Sequence, residues 1–358
     1  MTPTIVPMGP QHPTFLEPLQ LKLVVEDEIV QEVIPRLGYV HRGLEALTAS
    51  KDFRQMVQVV ERICGICSAI HGLTYCRAIE ALMEVEVPVR AEYLRVIWSE
   101  LHRAHSHLLW LGILADSMGF EALFMQIWRV REKIMDILEF TAGNRVVISV
   151  NTIGGVRRNI DPDQASRVRD TLEDVHKEFS SLQQSLLNDS AMQARTVNKG
   201  VLSQSRAYEL GTVGPVLRAS GMAQDIRLTG YAAYDRLDFE PITRSAGDTQ
   251  ARIAVRFQEV LQAIDLVRQA LDWLPPGEIQ ENVKGRPEGE IIVRSEQPRG
   301  EVMYYVKAGG KKHLDRLRVR TPTFANIPAL MEFLPGMDMA DVPLAVFSLD
   351  PCIACTER

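Results

Sequence analysis

Apolar residues recur every three to four positions over several long stretches of the chain and alternate with polar ones over a few short stretches. Leu94, Ile97, Leu101, Leu108 and Leu111 fall on one face of a helix predicted over 90–119. The same periodicity predicts helices over 121–140, 162–187 and 252–274. Asp161-Pro162 supplies a cap and a favourable first turn, and Pro275-Pro276-Gly277 ends the last of these helices. Helical character also runs from Leu44 towards Val60, and a short helix carries Leu73, Ile79, Leu82 and Met83 and stops before Pro88. Leu19 to Leu23 alternates and continues into Val24 and Val25, which places a small sheet within 12–35. A second alternating run, 291–307, is interrupted at Glu296–Gly300 and predicts a hairpin, with β-like sequence continuing over 309–320. The expected fold is mainly α with small β additions. It comprises a β-containing region over 1–43, a helical core over 44–290 and a mixed β/α region over 291–358, packed as one body.

Composition leaves this picture in place. Hydrophobic residues make up 46% and charged residues 24%, as in ordinary globular proteins. A net charge of −6 argues against nucleic acid as the main partner. No apolar run is long enough to predict a membrane span, and the opening MTPTIVPMGP has neither the basic nor the apolar part of an export signal, so none is expected.

The cysteines change the picture more. Four of the five form two C-x-x-C pairs, Cys64 with Cys67 and Cys352 with Cys355, near opposite ends of the chain. A two-residue gap lets both thiols of a pair face one ion. Four thiolates can hold zinc, an iron–sulfur centre or a nickel-containing centre, and two unconnected pairs satisfy the same spacing. Gly65 permits a close approach of backbone to whatever the first pair holds, and Arg62, His71 and Asp350 lie close by in sequence. Cys76, outside both pairs, reads as a small buried hydrophobe. His102, His105 and His107 do not share one helix face, so they read as packing or hydrogen-bonding residues and not as a ligand set.

RICGIC at 62–67, DPCIAC at 350–355, HRGLE at 41–45 and EQPRGE at 296–301 resemble the large, catalytic subunit of nickel–iron hydrogenases. GPQHP at 9–13, GPVLRASG at 214–221 and CTER at 355–358 resemble its energy-converting, membrane-associated branch, which is homologous to the quinone-site subunit of respiratory NADH dehydrogenase. The resemblance spans nearly the whole chain. It implies a hydrogenase-large-subunit-like helical body whose termini meet at the metal site. It further implies that Cys64, Cys67, Cys352 and Cys355 hold a nickel–iron centre. Cys67 and Cys355 would bridge to an iron carrying carbon monoxide and cyanide, with Cys64 and Cys352 terminal on nickel. By the same resemblance Glu17 transfers protons near a terminal cysteine such as Cys64, and Arg299 lies over the centre. Pro298, Pro322 and Thr323 line the pocket of the diatomic ligands, and Asp350 orients Arg299 or a water. Glu45 resembles a carboxylate that helps hold a second metal, magnesium or iron; Arg358 stands where many relatives have histidine.

The activity so implied is reversible H2 oxidation and proton reduction, with the chain as a catalytic subunit. Too few cysteines remain for further four-cysteine clusters, so a hydrogenase small subunit with a proximal 4Fe–4S cluster is expected as partner. Ferredoxin, ferredoxin-like subunits and antiporter-like membrane subunits are expected around it, on the cytoplasmic side of the cell membrane. Two other readings share parts of the pattern. One is a quinone-site subunit of an NADH dehydrogenase-like complex, and the other is a zinc-stapled assembly subunit.

Overall fold

The computed structural model describes residues 3–13, 15 and 17–358, apart from the side chain of Gln184. Three antiparallel strands open the chain in the order β1 (Thr4–Met8), β2 (Gln20–Glu26) and β3 (Ile29–Arg36). Strand β2 buries Leu21, Leu23 and Val25 and turns Gln20, Lys22 and Val24 outward, as its alternation predicts. Strand β1 lies before the predicted sheet. It buries only Met8, so no alternation marks it, and Pro7 is tolerated because the strand is at an edge.

The helices follow as α1 (Met56–Glu61), α2 (Ser68–Leu82), α3 (Val89–Ser117) and α4 (Glu121–Ala142), then α5 (Pro162–Leu187) after the two-residue strands β4 (Asn151–Thr152) and β5 (Gly155–Val156). Short α6 (Ser190–Thr196), α7 (Gln204–Glu209) and α8 (Pro215–Ala219) lead to α9 (Thr249–Asp272). The single helix predicted from Leu44 to Val60 is broken. It forms a 3-10 turn over Leu44–Ala49 and resumes at α1. The Thr48 and Ser50 hydroxyls bond the carbonyls of Glu45 and Leu47, and the Asp52 carboxylate takes the Arg54 amide. These local bonds compete with a continuous helix.

Helix α3 is the axis of the body and packs along α4 and α9. Leu94, Ile97, Leu101, Leu108 and Leu111 join Ile134, Leu138, Phe179 and Phe257 in the main core, where the Phe179 and Phe257 rings stack 5.3 Å apart. Helix α3 is buried nearly all round, so its polar residues Glu100, His102, Arg103, His105 and His107 lie inside the protein as well.

A second antiparallel sheet, β6 (Glu288–Gln297), β7 (Gly300–Gly309) and β8 (Arg316–Arg320), contains the predicted hairpin. Gln297 pairs with Gly300, leaving Pro298 and Arg299 as its two-residue turn. Gly300 has φ 127°, and a Cβ there would come within 2.8 Å of the Gly214 backbone. Glycine therefore lets this turn press against 213–214. The chain ends with α10 (Pro322–Phe333), α11 (Val342–Ser348) and α12 (Ile353–Glu357). The result is a mostly helical body with minor β content. Among the described residues no helix is long and apolar enough to cross a membrane.

Candidate metal centre

The two cysteine pairs come together where α2 and α12 begin. The first leaves α1 through one 3-10 turn, Gly65–Cys67, and enters α2. The second follows α11 through Asp350, which holds a left-handed φ of 59°. Cys67 Sγ lies 3.5 Å from Cys355 Sγ, and Cys352 Sγ lies 3.4 Å from Cys64 Sγ. All four thiols are free and buried.

They do not form one equivalent set. Among the described residues, the sulfurs of Cys64, Cys67 and Cys355 all lie within 4.8 Å of one another, and Cys352 is not part of that group. The Cys352 sulfur caps α12, accepting the Cys355 amide at 3.3 Å. This corrects the expectation of a four-cysteine nickel–iron site. The reading of the chain as a catalytic subunit for H2 oxidation and proton reduction required that full set and does not stand on three sulfurs. What remains is a compact set of soft donors suited to a thiophilic ion.

Charge is unevenly shared in the cluster. Hydrogen bonds from Cys352, Cys355 and Cys67 hold the Cys64 thiol well below its ordinary value, and Arg299 adds to this against the effect of burial. Contacts with Cys355 and Cys64 push Cys352 up, and burial pushes Cys355 up. The favoured state is one thiolate, on Cys64, steadied by thiols. His71 closes one side, its Nε2 3.6 Å from Cys355 Sγ and its Nδ1 2.7 Å from the Tyr304 hydroxyl. Burial lowers its imidazole to about 4, so the ring stays neutral.

The other expected site residues divide into two groups. Glu17 reaches α12, where its carboxylate accepts the amides of Ile353 and Ala354, the latter at 2.9 Å. Burial, and then the negative charge at Cys64, push its carboxyl up. Arg299 Nη2 donates to Asp350 Oδ1 at 2.8 Å, and Nε donates to the Asp350 carbonyl at 2.9 Å. Burial pushes the Asp350 carboxyl up against the pull of Arg299 and Arg256. Thr323 Oγ1 accepts the Cys352 amide at 3.1 Å, next to buried Pro322, while buried Pro298 forms the hairpin turn with Arg299.

Glu45 lies apart, and cations already occupy its carboxylate. Oε1 accepts Arg358 Nε at 2.7 Å and the Val319 amide at 2.9 Å, and Oε2 accepts Arg318 Nη1 at 2.6 Å. With both oxygens so engaged, the residue does not fit a second metal.

Sequence reasoning missed Arg42. Its guanidinium donates to the carbonyls of Arg62 and Ile63 at 2.9 and 2.7 Å and to Ala354 at 3.1 Å, so one side chain ties together the backbones of both cysteine segments. Its place in HRGLE was the available signal. Glu357, also missed, accepts the amides of Gly38 and Val40 and docks the last turn against the same loop.

A family profile described as respiratory-chain NADH dehydrogenase, 49 kDa subunit, matches residues 117–286 and 280–358; one described as nickel-dependent hydrogenase matches 42–116. The carbon monoxide-induced hydrogenase of Rhodospirillum rubrum is 41% identical over 100% of both chains. A subunit of the NADH-quinone oxidoreductase of Geotalea uraniireducens is 32% identical, over 98% of this chain and 97% of its own. A chain from the structure of the membrane-bound sulfane sulfur reductase, an archaeal respiratory membrane complex, superposes with a TM-score of 0.95 at 30% identity. That match covers 100% of this chain and 99% of the other.

Proposed function

We propose, from the premise that this chain belongs to the superfamily joining nickel-dependent hydrogenases to the 49 kDa subunit of respiratory-chain NADH dehydrogenase, that it is a quinone-site type of subunit in a membrane-associated respiratory complex. The observation that carries this reading is the reach of the 49 kDa profile through 280–358. That segment brings Arg299, Asp350, Cys352 and Cys355 to the site, where, among the described residues, three sulfurs form a mutual set. Quinone reduction needs a buried proton source and fixed charges, and does not need four sulfurs.

In this reading Glu17 holds and releases a proton beside the Cys64 thiolate, while Arg299 and Asp350 fix the local charge. Cys64, Cys67 and Cys355 hold one soft ion. Its fuller form is nickel with an iron bearing carbon monoxide and cyanide, lined by Pro298, Pro322 and Thr323; such a group supplies electron storage when bound. Partner subunits follow from the likeness to a multi-subunit respiratory complex. We assign them as an iron–sulfur subunit with a proximal 4Fe–4S cluster and ferredoxin-like and antiporter-like membrane subunits. Ferredoxin is the electron partner, and the chain lies on the cytoplasmic face.

The test uses the assembled membrane complex and a short-chain quinone. Electron transfer to the quinone is expected, slowed on the order of a hundredfold by Glu17→Gln. A complex that reduces no quinone overturns the reading. Metal quantification with infrared spectroscopy decides the ion separately. Nickel together with carbon monoxide and cyanide bands supports the fuller form, and zinc or no metal rejects it.

A further inference from the structure

Behind the turn that carries Arg299 lies a network of charged side chains inside the protein. Arg103, Arg218 and Arg227 face Glu100, Asp225, Glu259 and Glu296, all of them at most 4% exposed. Glu100 takes Arg103 at 3.0 Å, Arg227 at 3.2 Å and the Tyr234 hydroxyl. Glu259 takes Arg218 at 2.8 Å and faces His107 Nε2 at 2.9 Å. Asp225 takes Arg227 at 2.9 Å and Arg218 at 3.0 Å.

Glu296 is held least. Its Oε1 takes Arg218 Nη1 at 2.8 Å, a donor shared with Asp225 and with the Gln224 carbonyl, and its Oε2 takes only the Ile226 amide at 3.2 Å. Charges on the remaining neighbouring elements are engaged elsewhere. Arg77 on α2 donates to the Arg294 carbonyl and the Ser295 hydroxyl, and with Arg95 it stands against Glu80 and Glu92. Glu301, opposite Glu296 on β7, is taken by Arg294 and Arg320. The Tyr231 hydroxyl accepts the Glu296 amide.

Over its directly paired members the network holds three cations against four anions with every carboxylate ionised, and Arg256 on α9, which donates to the Arg252 and Leu349 carbonyls, faces both Glu259 and Asp350 from beyond it. A buried surplus charge is costly, and one proton removes it. Glu296, the most weakly held carboxylate, also has a way out. With Asp225 and Glu301 it lines a narrow crevice of about 10 Å³, room for one water, bordered by Val213, Gly214, Leu217 and the exposed Gln224.

We infer that Glu296 is a proton-exchange site, binding one proton delivered through the crevice beside Gln224 and returning it by the same route. The step is carboxylate plus proton to carboxylic acid, with no redox partner. It goes beyond the quinone reading, because it is a property of the folded chain whatever the electron acceptor. Burial and neighbouring Asp225 push this carboxyl up to about 7, in agreement with the charge count.

Infrared spectra of the full-length chain on either side of pH 7 test this. Carboxylic C=O absorption should fall as the pH rises through 7. Glu61, which burial also pushes up to about 7, adds a second contribution, so Glu61→Gln serves as the reference. In that background Glu296→Gln should remove one carboxyl's share of the remaining change, leaving what Glu17, Glu92 and Asp350, whose carboxyls are also pushed up, contribute. Asp225→Asn should lower the midpoint by on the order of one pH unit, and it decides the matter alone if Glu296→Gln does not fold. An undiminished change in Glu296→Gln, or an unmoved midpoint in Asp225→Asn, overturns the inference.

Discussion

Arg299 grips Asp350 twice, through Nη2 to the carboxylate at 2.8 Å and through Nε to the main-chain carbonyl at 2.9 Å. The pair pins the tip of the β6–β7 hairpin to the segment before Cys352. It also helps hold Asp350 at its left-handed φ of 59°, which a non-glycine residue keeps only where its surroundings fix it. Arg299→Met leaves a buried carboxylate without its main partner. It should lower unfolding free energy by about 3–5 kcal/mol, measured from the denaturant midpoint. Asp350→Asn retains an acceptor and should cost about 1–3 kcal/mol. Equal and small losses in both variants would show the pair to be ornamental.

The unequal roles of the four cysteines predict an ordered response to serine substitution. Cys64, Cys67 and Cys355 form the mutual set, while Cys352 caps α12. Cadmium titration of the metal-free chain should give one site per chain. Loss of Cys64, Cys67 or Cys355 should weaken it by more than the about 10–100-fold typical of an outer partner, and Cys352→Ser should stay within that range. Equal losses at all four positions would restore Cys352 as a ligand of the same rank.

The long helices were legible because a core-facing stripe repeats at the helical period over 90–119, 121–140, 162–187 and 252–274, and α3, α4, α5 and α9 lie there. Helices α6, α7 and α8 span five to seven residues, too few for a period to declare itself. Helix α10 is harder still, since it contains Pro328 and buries residues on several sides. The cysteine spacing left one shared site and two unconnected pairs both open, and it carried no sign that Cys352 would spend its sulfur on a helix cap. The charged network was invisible for a different reason. Arg103, Glu100 and Glu259 stand on long helices whose sequence carries no sign of enclosure, and only the assembled packing of α3, α8 and α9 encloses them.

The Glu45 cluster makes a prediction about magnesium. Its carboxylate is engaged by Arg318, Arg358 and the Val319 amide, and the Glu45 and Arg358 side chains are 15% and 18% exposed. Glu45→Gln should cost about 1–2 kcal/mol, less than a fully buried pair and more than a surface one. Because guanidinium groups already neutralise this carboxylate, millimolar magnesium should leave the thermal midpoint of the wild-type chain unchanged. A midpoint that climbs with magnesium concentration would require a bound cation.

His102 contributes, with His71, His105 and His107, to the acid limit of stability, in a way that can be isolated. It lies fully buried on α3, where the loss of hydration outweighs contact with the Ile66 backbone and lowers its imidazole from 6.5 to about 4. The folded value is therefore the depressed one. The associated stability is complete above pH 6.5 and is lost as the pH falls towards 4, because in that window the unfolded chain binds a proton that the folded chain refuses. One such histidine contributes a slope of about 1.4 kcal/mol per pH unit. Denaturant unfolding of the metal-free chain and of His102→Gln at a series of pH values reads this slope directly. The wild-type advantage should shrink by about that amount for each unit of acidification within the window. Curves that stay parallel would mean the ring is already charged in the folded protein, which would require an anionic partner beside it.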